Sequence, residues 1–223
     1  MASLLCGIFI GGQSRRMGGH PKGLLPAPEA APATSSPAQT PARDAGPIPA
    51  SAQTLVARLT GLATAQGLPV VLVGTRPEYA GLGLPMLADR PPGHGPLGGL
   101  AALLLAATES GHDGAIALSC DLPFLGAGLL GRLIAAPAAD AVAPRWQPAD
   151  RDAPIWEPLC ARYSVAFLPR LQQAMAQGLR SLQPILSSVD SLPLSLTADD
   201  TAQLRDWDSP DDLPAELRAR LGR

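Results

Sequence analysis

The sequence predicts an α/β fold, a mainly parallel sheet with helices on its faces. Two observations predict it: short apolar runs alternate with longer helical patterns, and a glycine-rich loop follows directly on the first apolar run. Alternation of this kind builds βαβ units, whose ligands bind beyond the carboxyl ends of the strands, so the loops after strands carry the functional expectation.

In chain order, Leu4 to Ile10 reads as a buried strand, Leu55 to Ala65 as a helix, Val70 to Val73 as a strand and Leu97 to Ala107 as a helix. Ala115 to Ser119 reads as another strand and Leu129 to Ala135 as another helix. Between the first two elements, residues 26 to 50 hold seven prolines among Ala, Ser and Thr, with almost nothing large and apolar. Such a segment cannot form a packed element and is expected to be a mobile insertion within one domain spanning residues 1 to 223.

Bulk properties narrow the function. A net charge of −2 with 16% charged residues gives no basic field for a nucleic acid. The stretch Leu97 to Ala107 is shorter than the roughly 20 residues a membrane span needs. The apolar N-terminus lacks a basic leader and runs straight into Arg15 and Arg16, which argues against a signal peptide. Three cysteines, odd in number and far apart, suggest neither a disulfide framework nor a zinc site, and a reducing cytoplasm is the expected location.

The loop Gly11 to Lys22 concentrates glycines and three cations, Arg15, Arg16 and Lys22, in twelve positions. Glycine lets a backbone approach an anion closely, and a nest of amides with cations beside it suits a polyphosphate. Lys22 is followed by Gly23, so the loop is not a Walker sequence, and no G-x-G-x-x-G fingerprint occurs. Lys22 is also the only lysine, against sixteen arginines. A compact ammonium acts on phosphate as a point charge where an arginine fork does not. The plain alternative is a solvated loop with a chance lysine.

These residues resemble the L-A-G-G-x-S-x-R-M-G…K signature of the MobA-type molybdenum cofactor nucleotidyltransferases. Gly95 to Gly99 is similar to that family's G-P-L-x-G, Cys120 to Phe124 to its C-D-x-P, and Glu157 to Tyr163 to its P-L-x-A-x-Y strand, all in the family's order. The resemblance implies a Rossmann-like nucleotidyltransferase fold. It also implies transfer of a nucleoside monophosphate from GTP or CTP to the terminal phosphate of molybdopterin, with magnesium as cofactor, pyrophosphate as by-product and a molybdoenzyme or its chaperone as receiver. By position it implies nucleotide contacts at Phe9, Ile10, Gly11, Gly12, Ser14, Arg15, Lys22, Asp89 and Asp121. Lys22, Arg16 and Asp121 form the catalytic set it implies, with magnesium on Asp121 and Asp208.

Asp121 also stands on its own, at the carboxyl end of an expected central strand with Pro123 delaying any helix. Magnesium takes one or two protein carboxylates and completes its shell with phosphate and water. Gly95 to Gly99 opens a helix and suits either an anion or close packing. Asp206 to Leu213 is similar to the family's N-x-N-T-P-E-D-L with both asparagines replaced by aspartate, yet Ser209, Pro210, Asp211 and Asp212 are accounted for by helix capping alone. Arg180 is similar in place to an arginine that faces the acceptor, or is an ordinary solvated side chain. The three histidines show no ligand spacing.

Three departures bear on the base. Phe9 and Ile10 replace Leu-Ala and predict a bulkier pocket, Val73 to Arg76 stands where many guanylyl members carry Asn-x-Asn-Arg, and the proline-rich insertion is extra. GTP is the expected donor. CMP transfer from CTP, another phosphorylated acceptor and a non-catalytic nucleotide-binding accessory role are the alternatives.

Overall fold

The computed structural model describes residues 2–12, 17–28, 53–148, 151–188 and 190–221. Ser14, Arg15, Arg16 and residues 29 to 52, which include most of the expected insertion, lie outside them. The described chain on either side of residues 29 to 52 meets: Pro26 forms an antiparallel bridge with Thr54, and the Ala27 amide donates to the Gln53 carbonyl at 2.7 Å.

The first strand, β1 (Leu4–Phe9), is wholly buried and alternates its side chains between two cores. α1 (Leu55–Ala65) starts at Thr54, whose hydroxyl accepts from the Ala57 amide, and leads to β2 (Val70–Val73) and the short β3 (Met86–Leu87). α2 (Pro96–Glu109) is buried almost all round, as its Leu- and Ala-rich sequence requires, and β4 (Gly114–Ser119) follows it. After α3 (Ala127–Ala135) come β5 (Ala141–Trp146), β6 (Ile155–Trp156) and β7 (Cys160–Ser164). The chain finishes through α4 (Leu168–Ala176), α5 (Leu182–Ser188), β8 (Ser191–Leu194), α6 (Ala198–Gln203) and α7 (Ala215–Leu221).

One sheet results, in the order β3-β2-β1-β4-β7-β5-β6, with β8 on β5. β3, β2, β1 and β4 are parallel neighbours, as are β5 and β8, whereas β7 is antiparallel to both β4 and β5 and β6 is antiparallel to β5. The sheet is therefore mixed and mostly parallel, and the expected P-L-x-A-x-Y strand is the one that reverses it. α2, α4 and α5 cover one face, while α1 and α3 cover the other.

Gly7 explains how closely α2 lies on the sheet, since a Cβ there would stand 2.6 Å from a Leu103 methyl. A third cluster joins Met17, Leu25 and Leu55 to Trp207, Leu213 and Leu217, and so ties the C-terminal segment to the glycine-rich end of the molecule. The carboxyl ends of β1, β2, β3 and β4 lie along one edge of the sheet. β7 enters from that same edge, because it runs the other way. No described helix is long and apolar enough to cross a membrane.

Candidate active site

A cleft of about 450 Å³ opens at that edge. Gly11 and Gly12 line it after β1, Asp89 after β3, Gly95 and Pro96 at the start of α2, and Asp121 after β4. Lys22 reaches it from a short 3-10 turn, Lys22–Leu24, whose backbone packs against α1 and the 3-10 turn Pro77–Leu82. A second hollow shares Gly11, Gly12 and Asp89 with the first and extends toward Thr75, Arg76 and Pro92.

One ammonium organises the charges. Lys22 Nζ donates to Asp208 Oδ1 at 2.7 Å and to Asp121 Oδ2 at 3.1 Å, and its side chain is only 12% exposed. Burial works against the lysine's charge, but the bonds to Asp208 and Asp121 outweigh it and hold the Lys22 pKa above its ordinary value. The lysine's share of that stability is fully present below its unfolded value and is lost as pH rises through the folded one.

The other oxygen of Asp121 accepts a 2.5 Å hydrogen bond from the Ser119 hydroxyl, and its backbone carbonyl accepts from the Trp207 amide at 3.0 Å. Trp207 is 2% exposed and meets the ring of Phe124 edge-on, with centroids 6.3 Å apart. This buried indole sits between Asp206 and Asp208 in sequence, and Asp208 lines the cleft. Ser209 then caps the turn Pro210–Asp212 through a reciprocal pair of bonds with Asp212, so the capping reading of that segment holds beside the ion-pair role of Asp208.

Other carboxyls feel this site. Glu157, half-buried ahead of β7, is raised above the usual carboxylate range by desolvation and by the charges of Asp206 and Asp121, although Trp146 Nε1 donates to it at 2.8 Å. Asp206, exposed by area yet crowded by its neighbours, is raised by desolvation and by Asp121 and Asp208. Asp89 is raised by desolvation. Among the described residues no group of three or more His, Cys, Asp or Glu side chains is gathered to hold a metal on its own. Two carboxylates already converge on one cation here, and that donor set suits magnesium when phosphate oxygens complete the shell.

The sequence match decides the family: the model of the MobA-like NTP transferase domain covers residues 6–191. The chain belongs to the MobA-like NTP transferase family. It is a nucleotidyltransferase by that membership. A relative named molybdenum cofactor guanylyltransferase, from Rhodobacter capsulatus, is 31% identical over 216 residues, 96% of this chain and 95% of the relative. The crystal structure of molybdopterin-guanine dinucleotide biosynthesis protein A from Archaeoglobus fulgidus has the same fold at 18% identity, with a TM-score of 0.64 over 98% of this chain and 99% of that one. So does the 2-C-methyl-D-erythritol 4-phosphate cytidylyltransferase of Thermus thermophilus, at 17% identity and a TM-score of 0.60 over 99% and 100%.

In this MobA-like transferase the structure brings together Phe9, Ile10, Gly11, Gly12, Lys22, Asp89, Asp121 and Asp208 around one cleft. Phe9 and Ile10 are 7% and 2% exposed and belong to opposite cores, and both also line the cleft. Gly98 and Gly99 are accounted for by packing, since a Cβ would lie 2.5 Å from the Pro91 carbonyl and 2.9 Å from Phe9 respectively. Arg180 donates to the Gly93 carbonyl at 2.6 Å, which ties the turn after α4 to the loop before α2.

Ser119, Glu157, Leu159 and Trp207 had no role in the sequence reading. Ser119 left a local signal, a hydroxyl two residues before Asp121 at the end of an apolar run, while Glu157, Leu159 and Trp207 fell within family-like segments that pointed to other residues. Glu157→Gln keeps an oxygen for Trp146 and removes a charge that folding penalises. A carboxyl raised by folding costs stability above its unfolded pKa and nothing below it. The variant is therefore expected to melt on the order of 2–4 °C higher at pH 7, the scale of about 1 kcal/mol in a chain this size. The gain disappears as pH falls below about 4, and scanning calorimetry across that range checks it.

Proposed function

We propose that this chain transfers GMP from GTP to the terminal phosphate of molybdopterin, giving the guanine dinucleotide cofactor and pyrophosphate. The observation that carries the reading is the ammonium of the only lysine, held between Asp121 and Asp208 at the mouth of a cleft lined by Gly11 and Gly12. The name of the curated relative supports the same reaction.

With nucleotide seated, the amides of Gly11 and Gly12 and the charge of Lys22 hold the triphosphate. Asp121 and Asp208 would hold magnesium, which supplies charge neutralisation on the phosphates when bound. Ser119 fixes the orientation of the Asp121 carboxylate, and Trp207 fixes its backbone. An oxygen of the acceptor phosphate, already ionised at neutral pH, forms a bond to the α-phosphorus as the bond to the β-phosphate oxygen breaks. No protein nucleophile or general base is required, so positioning and electrostatics carry the rate. The product is then handed to a molybdoenzyme or its chaperone. Three buried free thiols suit a reducing cytoplasm.

Asp89 supports guanine. A carboxylate offers two acceptors, which match the adjacent N1–H and N2–H donors of guanine, whereas cytosine sets its N4 donor beside an unprotonated N3 that a carboxylate repels. Buried polar groups left unpaired by the wrong base make such a site selective. Asp89→Asn is expected to lower kcat/KM for GTP about 100-fold while leaving CTP turnover within threefold, as read by parallel initial rates with both nucleotides.

CMP transfer from CTP is the second reading. Val73, rather than an amide side chain, lines the cleft, which takes one base-reading group away. Calorimetry with GTP, CTP and ATP, each with and without magnesium, tests the whole reading. Metal-dependent GTP binding is expected, and the absence of any metal-dependent nucleotide binding would overturn it.

A further inference from the structure

We infer that the short turn after β2 is a bracket that holds both described ends of the glycine-rich loop, making Arg76 and Tyr79 positioning residues for the nucleotide. The inference rests on the phosphate-binding role proposed for that loop.

Arg76 precedes the 3-10 turn Pro77–Leu82. Its Nη1 donates to the Gly12 carbonyl at 2.9 Å, and its Nη2 pairs with Glu78 Oε1 at 2.9 Å. Three residues on, Tyr79 is 1% exposed, and its hydroxyl oxygen accepts from the Gly23 amide at 3.1 Å. One rigid turn thus touches the loop at Gly12 and at Gly23, directly beside Lys22.

The contact at Gly23 is built without slack. A Cβ on Gly23 would lie 2.5 Å from a Val56 methyl and 2.9 Å from the Tyr79 oxygen. Gly74, at φ +109°, leaves room for the backbone of Gly11, which a Cβ would approach to 3.0 Å. The loop's amides suit an anion, and Arg76 engages the carbonyl of Gly12, a group that would repel one. A loop fixed before the ligand arrives loses less freedom on binding.

The test uses Tyr79→Phe and Arg76→Met, with Glu78→Gln as control, in the full chain. Amide hydrogen exchange without ligand is expected to quicken at Gly23 in the first and at Gly11 and Gly12 in the second. GTP affinity and KM for GTP are each expected to worsen about tenfold in Tyr79→Phe, the scale of one buried hydrogen bond, and about threefold in Arg76→Met, whose bond is exposed, with kcat within threefold and acceptor KM unchanged in both. The control breaks an exposed ion pair and stays at wild-type values. The double variant loses less than the two single losses combined, because both contacts serve one loop.

Unchanged exchange in both variants would overturn the bracket whether or not any nucleotide binds. Quickened exchange with unaltered GTP affinity would reduce it to a structural contact and overturn the positioning role. A Glu78→Gln loss equal to that of Arg76→Met would also overturn it. If wild-type protein binds no nucleotide, the proposed function fails, while exchange still decides the contacts.

Discussion

Replacing Asp121 by Asn, or Lys22 by Met, is expected to lower turnover by on the order of 10²–10³, the scale of one lost electrostatic contact to developing charge. The two side chains are 17% and 12% exposed, so both act where water screens them only partly. Asp121→Asn keeps the shape of the side chain and an oxygen for the Ser119 hydroxyl, so the loss isolates charge. Lys22→Met removes the cation that separates Asp121 from Asp208 and leaves two carboxylates facing each other. Its nucleotide affinity is expected to fall together with its kcat, whereas Asp121→Asn loses mainly the magnesium-dependent part of binding. Lys22→Arg does not restore the rate, since a planar fork cannot take the place of a point charge held between two carboxylates. Steady-state kinetics on variants that still melt cooperatively check this. Near-normal turnover of either variant would remove these residues from the catalytic set.

Trp207→Ala carries the largest expected loss of stability, about 3–5 kcal/mol for truncating a buried indole, or on the order of 10 °C in melting temperature. Its ring anchors the cluster that joins Met17 and Leu25 to Leu213 and Leu217. Its amide also bonds the carbonyl of Asp121. Loosening this segment frees Asp208 from Lys22 and lets the end of β4 shift. Turnover is therefore expected to fall about 100-fold even well below the melting point, since small misplacement of positioning groups costs that much. Trp207→Phe keeps an aromatic edge for Phe124 and is expected to recover most of both losses. Measuring rate and melting temperature together separates the two effects, and a rate that merely tracks the folded fraction would deny Trp207 any part in shaping the site.

The legible parts of the site were those with a local signature. Gly11 and Gly12 stand at the end of an apolar run, Lys22 is the only lysine, and Asp121 ends another apolar run before a proline. Asp208 was half-legible, because the residues after it fit a cap as well as a site, and the structure shows that they serve as the cap while Asp208 pairs with Lys22. Tyr79 was illegible, and Arg76 and Glu157 stood in segments compared with the family without any role being read for them: each looks like an ordinary polar or aromatic residue until its neighbour is known. Tyr79 meets Gly23 across 56 positions, and Lys22 meets Asp208 across 186. The fold divides in the same way. Uninterrupted apolar runs marked β1, β2 and β4, whereas β5 contains Pro144 and Arg145 and β8 contains Pro193, which blurred their pattern.

By itself the sequence determined the α/β class and the family, because composition, periodicity and motif order are properties of the chain read in one dimension. Only the tertiary structure decided that β7 reverses the sheet, that the C-terminal turn closes on Lys22, and that one short turn grips the loop at Gly12 and Gly23. Those are choices of partner across long stretches of chain, made by burial and hydrogen-bond satisfaction in the packed state, and no local pattern encodes them.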